Sequence, residues 1–253
     1  MTRKIFIFCI FSMLLYEPAY AGRPFSTEDA TVAGKGAIQQ EVGIEPVWQE
    51  KRDKKYTFSS ASIYGLRDGM EFSVEAPYAI IEPKEGNKES GFDDMTLVLK
   101  TVLFPERDDM PQFLLKTTLK LANGDEDRGL GSGDEDIGLS IAATKNTGPA
   151  TLHANLGYVF TGDKFDNTLH DYLLYGLAGE YSLNPRLSIV SEIYGETSSH
   201  HDTSAFKHYV LNPLLGLTYG VTETILFDIA FKLGIEDDKE PERGIITGLS
   251  LSF

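Results

Sequence analysis

Apolar side chains in this chain recur at every second position in segment after segment, while the 3.6-residue stripe of an amphipathic helix is scarce. Between Leu152 and Phe160, one face carries Leu152, Ala154, Leu156, Tyr158 and Phe160, and the other His153, Asn155 and Gly157, with Val159 the exception. From Ile225 to Leu233 the apolar face is Ile225, Phe227, Ile229, Phe231 and Leu233, and Asp228, Ala230 and Lys232 point the other way. Similar alternation runs through residues 113–121, 136–143 and 209–219. A period of two is the signature of strands with one apolar and one polar face. The pattern predicts about twelve strands, near residues 36–48, 55–65, 69–80, 92–104, 111–123, 134–145, 149–162, 171–183, 185–197, 207–219, 222–234 and 244–253. Each is close to the roughly 9–11 residues that a tilted membrane-spanning strand needs, and an even number suits a bacterial single-chain barrel.

The connections between these segments alternate in character. Compact turns stand near residues 66–69, 104–110, 146–149, 184–185 and 220–221, and longer charged loops near 49–54, 82–90, 124–133, 162–170, 197–206 and 235–243. Outer-membrane barrels have short turns on the periplasmic side and long loops outside. At the start of the chain, Arg3 and Lys4 precede an apolar run from Ile5 to Tyr16 and a small-residue site at Ala19-Tyr20-Ala21. That is the form of a secretory signal peptide, and the run is shorter than the roughly 20 residues of a membrane helix. The expected organisation is a signal peptide over 1–21, a periplasmic extension or plug over 22–35, and a barrel over 36–253. Cys9 lies in the signal segment, so the exported chain has no cysteine for a disulfide or a lipid anchor.

Composition sharpens this picture. Mean hydropathy is −0.18, which fits a membrane protein only if half of each spanning element faces water, as in a barrel. Formal charge is −15, and losing Arg3, Lys4 and Glu17 with the signal segment takes it to −16. Such a charge argues against a nucleic-acid partner. The fold class expected is all-β, a single transmembrane antiparallel up-and-down β-barrel of about twelve strands in the outer membrane. A soluble periplasmic β-sandwich is the rival, and it would need each apolar face buried against a second sheet.

The chain ends Leu249-Ser250-Leu251-Ser252-Phe253, an alternating strand closed by an aromatic residue, which resembles the signal read by the barrel-assembly machinery. A further resemblance starts at Arg23-Pro24-Phe25-Ser26-Thr27-Glu28-Asp29-Ala30 and continues through Gly34-Lys35-Gly36 and Gln39-Gln40-Glu41-Val42-Gly43. Residues 91–100 and 131–139 are similar in character. Together they resemble the MetA-pathway phenol-degradation transporter family. The resemblance implies an outer-membrane barrel that admits small molecules, aromatic ones among them.

With apolar faces toward lipid, the lumen would receive Glu41, Glu45, Glu71, Glu75, Lys100, Lys116, Lys120, Asp136, His153, Asn155, Glu180, Glu192, Glu196, Asp228 and Lys232. Charges belong inside, because Lys or Arg at mid-depth on the lipid face costs about 2–4 kcal/mol. They could form a transverse field that selects solutes, or a paired network that fills a closed barrel. Residues 22–35 could be a mobile tail, or a plug with Phe25 buried and Arg23 paired to a lumenal carboxylate. The partners expected are outer-membrane lipid, lipopolysaccharide, the assembly machinery and a small solute, with the barrel a monomer.

Catalytic and metal chemistry find little support. The acidic loop from Asn123 to Asp136 lacks EF-hand spacing, and His200-His201 has no third ligand nearby. No Gly-x-Ser-x-Gly or phosphate-cradling glycine loop is present, and neither His153 nor His170 has an obvious serine partner. No enzyme activity, cofactor or metal is expected.

Overall fold

The computed structural model describes residues 22–48, 54–83, 85–162, 171–197, 209–236 and 242–253. The expected signal segment 1–21, His170 and His200-His201 lie outside the described residues, as do parts of five long loops. Fourteen strand segments follow in order: β1 Ile38–Trp48, β2 Lys54–Arg67, β3 Met70–Glu75, β4 Tyr78–Glu82, β5 Glu89–Phe92, β6 Thr96–Phe104, β7 Gln112–Lys120, β8 Asp136–Thr147, β9 Ala150–Phe160, β10 Tyr172–Asn184, β11 Leu187–Thr197, β12 Tyr209–Gly220, β13 Ile225–Glu236 and β14 Glu242–Ser252.

These segments make twelve staves. β3 and β4 both pair with β2 and are one stave broken at Ala76-Pro77, while β5 and β6 are one stave broken at residues 93–95. Pro77 has no N–H to give the ladder, and the pairing is interrupted there. The break is bridged by Ala76 N–H to Ser60 O (2.8 Å) and Asp93 N–H to Pro77 O (3.0 Å). Neighbours pair antiparallel around the circle, and β1 closes it by pairing with both β2 and β14. Closure leaves no free edge, which a spanning sheet in lipid requires.

Alternation along the strands sorts side chains between two media. Leu156, Leu177 and Leu215 point outward and are more than 60% exposed, an arrangement that water would penalise and lipid rewards. Outward aromatics stand near both ends, Tyr64, Phe104, Tyr181 and Tyr219 toward the short turns and Phe92, Tyr158 and Phe160 toward the long loops. Such girdles mark the two membrane interfaces. One outward patch breaks the rule: Gln40 on β1 donates to Ser60 Oγ (3.0 Å) and accepts from Ser62 Oγ (2.7 Å) on β2. Pairing its polar atoms internally is what the lipid face demands of such a group.

The interior is polar. Glu71, His153, Asn155, Glu192 and Asp228 are all buried, and the small apolar clusters inside are those that meet residues 25–32.

Candidate functional site

Residues 23–33 lie within the lumen and touch its wall from β13 and β2 round through β11, β8, β7 and β6 to β3. At one end, Ser59 on β2, Gly43 on β1, Gly248 on β14 and Asp228 on β13 form a single lateral row. The Arg23 guanidinium lies across this row. Nη1 donates to Ser59 Oγ (3.1 Å), and Nε and Nη2 donate to Asp228 at 3.1 and 3.4 Å. A Cβ on either Gly43 or Gly248 would collide with the guanidinium, so the close approach needs glycine at both positions.

Phe25 then packs on Val190, Leu214, Ala230 and Ile246, with its ring centroid 5.6 Å from that of His153. Glu192, only 3% exposed, accepts the backbone N–H groups of Ser26 (3.1 Å) and Thr27 (2.5 Å). Glu28 is held by Lys116 (2.5 Å) and Lys100, and Lys100 also reaches Glu71 at 3.3 Å. Ala30 N–H donates to Thr144 Oγ1 (2.8 Å), which stands 2.9 Å from His153 Nδ1. All three groups are satisfied when the Thr144 hydroxyl donates to Nδ1 and the imidazole proton sits on Nε2. Gln112 donates to Ala30 O (2.5 Å), Ala33 N–H to Glu71 (2.5 Å), and Gly36 N–H to Gly65 O (2.7 Å).

The remaining lumenal charges sort into two groups. Lys120 pairs with Asp136 (2.5 Å) and Lys232 with Glu45, both toward the long-loop end. Glu180 and Glu196 also project inward, on β10 and β11. By contrast, the carboxylates of Glu41 and Glu75 make no hydrogen bond or ion pair with the described residues. Both line a cavity of about 260 Å3 beside the segment and an adjoining one of about 220 Å3. Lys100 on β6 and Lys116 on β7 meet Glu28 of the segment.

At the same long-loop end Asp94, 6% exposed, turns in from the break between β5 and β6 and stands 3.9 Å from Lys120. It accepts Gly124 N–H and Ser132 N–H, both at 2.8 Å, and so folds the 121–135 loop back on the wall. Leu130 of that loop is 1% exposed, pressed where Gly91 provides space, and Arg128 pairs with Glu89 at 2.7 Å. Among the described residues, no group of three or more His, Cys, Asp or Glu side chains is placed to hold a metal.

Glu28, Asp94 and the wall glycines carry no periodic signal and escape a reading of alternation. Glu28 belongs to the Arg23–Ala30 block, where a run of polar residues beside one phenylalanine is the only hint of a lumenal role.

Solved structures resemble this architecture. An outer membrane channel from Pseudomonas putida F1 superposes with a TM-score of 0.75 at 13% identity, covering 90% of this chain and 100% of that one. The KdgM porin, in complex with disordered oligogalacturonate, gives 0.56 at 11% identity over 84% of this chain and 99% of its own. At such identities the likeness is one of fold, that of an outer-membrane barrel. No curated protein matches the sequence. Over residues 21–253 the chain matches, and belongs to, the family described as "Putative MetA-pathway of phenol degradation".

Proposed function

We propose that the protein is a gated outer-membrane channel for small solutes and that residues 22–35 are its gate. The observation that carries this reading is how the segment is held. Apart from Phe25 and the Ala30 neighbourhood, its ties are ion pairs and hydrogen bonds, which water or a polar solute can replace on displacement. An apolar seal of the same extent would have no such exchange partner. Beside the segment, the Glu41–Glu75 cavities provide a water-accessible flank lined by unpaired carboxylates, and a path through them favours cations.

The family's description concerns phenol degradation, and we take the solutes to include small aromatic compounds. The role is transport rather than catalysis. The barrel acts as a monomer in outer-membrane lipid and lipopolysaccharide, delivered after removal of residues 1–21. Phe253, whose side chain is 78% exposed while its N–H reaches Ile38 O at 2.9 Å, serves as the assembly signal.

Single-channel recording in planar bilayers tests this, comparing the chain from residue 22 with one lacking residues 22–34. Brief, small openings are expected from the first and long, larger ones from the second. Silence from both would sink the channel reading.

A further inference from the structure

On the side of the segment away from Glu41 and Glu75, a smaller cavity of about 80 Å3 lies against β7 to β11. Ser26 and Glu28 bound it from the segment, and Lys116, Ser140, Asn155, Leu174 and Tyr194 from the wall. Register places Lys116, Ser140, Gly157 and Leu174 in one lateral row, with Asn155, Gly176 and Tyr194 in the next row toward the short turns. Ser140 and Leu174 lean over Gly157, where a Cβ would stand 2.6 and 2.7 Å from them.

Asn155 is the group that calls for a ligand. It is 8% exposed, its carboxamide makes no hydrogen bond with the described residues, and its oxygen is fully buried without a partner. Buried amides are almost always paired, and one left open in a cavity wall is a handle for something else. Thr27 Oγ1, next to Gly176, is likewise unpartnered, although Thr27 lines the larger cavity rather than this one.

Three properties define the occupant. The charged groups lining the cavity, Glu28 and Lys116, neutralise each other at 2.5 Å, so the site favours an uncharged molecule. Leu174 and the Tyr194 ring supply apolar surface in the same lining. The volume is several times the roughly 15 Å3 that one water needs, enough for about one six-membered ring. We propose that this cavity binds a neutral, ring-sized molecule bearing one hydroxyl group, held by the Asn155 carboxamide against Leu174 and Tyr194. The site gives the proposed channel a substrate class and draws its purpose, though not its chemistry, from that reading.

Isothermal titration of the detergent-solubilised chain from residue 22, with micelle blanks subtracted, tests the site using phenol and its hydroxyl-free counterpart toluene. Phenol is expected to bind saturably and at least about ten-fold more tightly than toluene, the scale of one buried hydrogen bond. Asn155→Leu should bring the two within about two-fold, and Ser140→Leu, which fills the cavity, should abolish both. Absence of saturable phenol binding to the unsubstituted chain, or a phenol preference that survives Asn155→Leu, overturns the proposal. Binding is read at equilibrium with the segment in place. Openings without phenol binding would therefore remove the site and leave the channel, and binding without openings would do the reverse.

Discussion

Glu192→Gln keeps the shape of the wall and replaces one of the two oxygens that receive the Ser26 and Thr27 N–H groups. The incoming amide nitrogen then points a donor at a donor. A hydrogen bond to a charged acceptor contributes about 1.5–3 kcal/mol, so the seated segment loses roughly that much. The displaced state loses nothing comparable, because water satisfies either side chain once the segment leaves. At 1.4 kcal/mol per factor of ten, the displaced fraction should rise about 10- to 150-fold. Open time in planar-bilayer recordings measures this directly, with a thermal melt of the barrel in detergent as the control for global damage. If Glu192→Gln opens no more often than the parent while deletion of residues 22–34 does open the pore, the anchoring role assigned to Glu192 is wrong.

Four further outcomes are expected. Arg23→Met should destabilise by about 3–5 kcal/mol in denaturant titrations, since Asp228, 1% exposed, loses its counter-charge. Adding Asp228→Asn should recover much of that loss, and a strictly additive pair would contradict the coupling. Gly176→Ala puts a methyl group into Thr27 and Asn155 without altering any charge, so it should raise open time as Glu192→Gln does. Glu41→Gln with Glu75→Gln, measured by reversal potential across a salt gradient, should reduce cation preference, and an unchanged potential would place the conducting path elsewhere. Asp94→Ala should speed hydrogen exchange at the Gly124 and Ser132 amides about ten-fold or more, because their acceptor is gone.

Alternation made the wall legible because a strand has only two faces and the two media here are lipid and water. Asp228 between Phe227 and Ile229, or His153 between Leu152 and Ala154, can face only inward. Even Val159, apolar at an inward position, is buried at 7% exposure and does not disturb the register. Two staves were harder to read. The sequence pattern runs through Pro77 without a pause, yet the ladder stops there, and Asp94 leaves the strand pattern altogether. The course of residues 22–35 was the least legible part, for two physical reasons. A segment without repeating hydrogen bonds has no period, and its partners are remote, Arg23 meeting Asp228 at a separation of 205 residues. Its imprint on the wall consists of missing side chains at Gly43, Gly176 and Gly248, which alternation records only as gaps.

The position of Arg23 also bears on the order of assembly. Gly43 and Gly248 belong to the first and last strands, and their pairing is the seam at which the sheet becomes a cylinder. Ser59 and Asp228 flank that seam on either side, so the four-strand row that receives the guanidinium does not exist in an unclosed sheet. The contact can form only after the final strand has found the first. A side chain that precedes the first strand thus rivets the joint made by the last, and the lumen is fitted with its occupant in the same event that seals the wall.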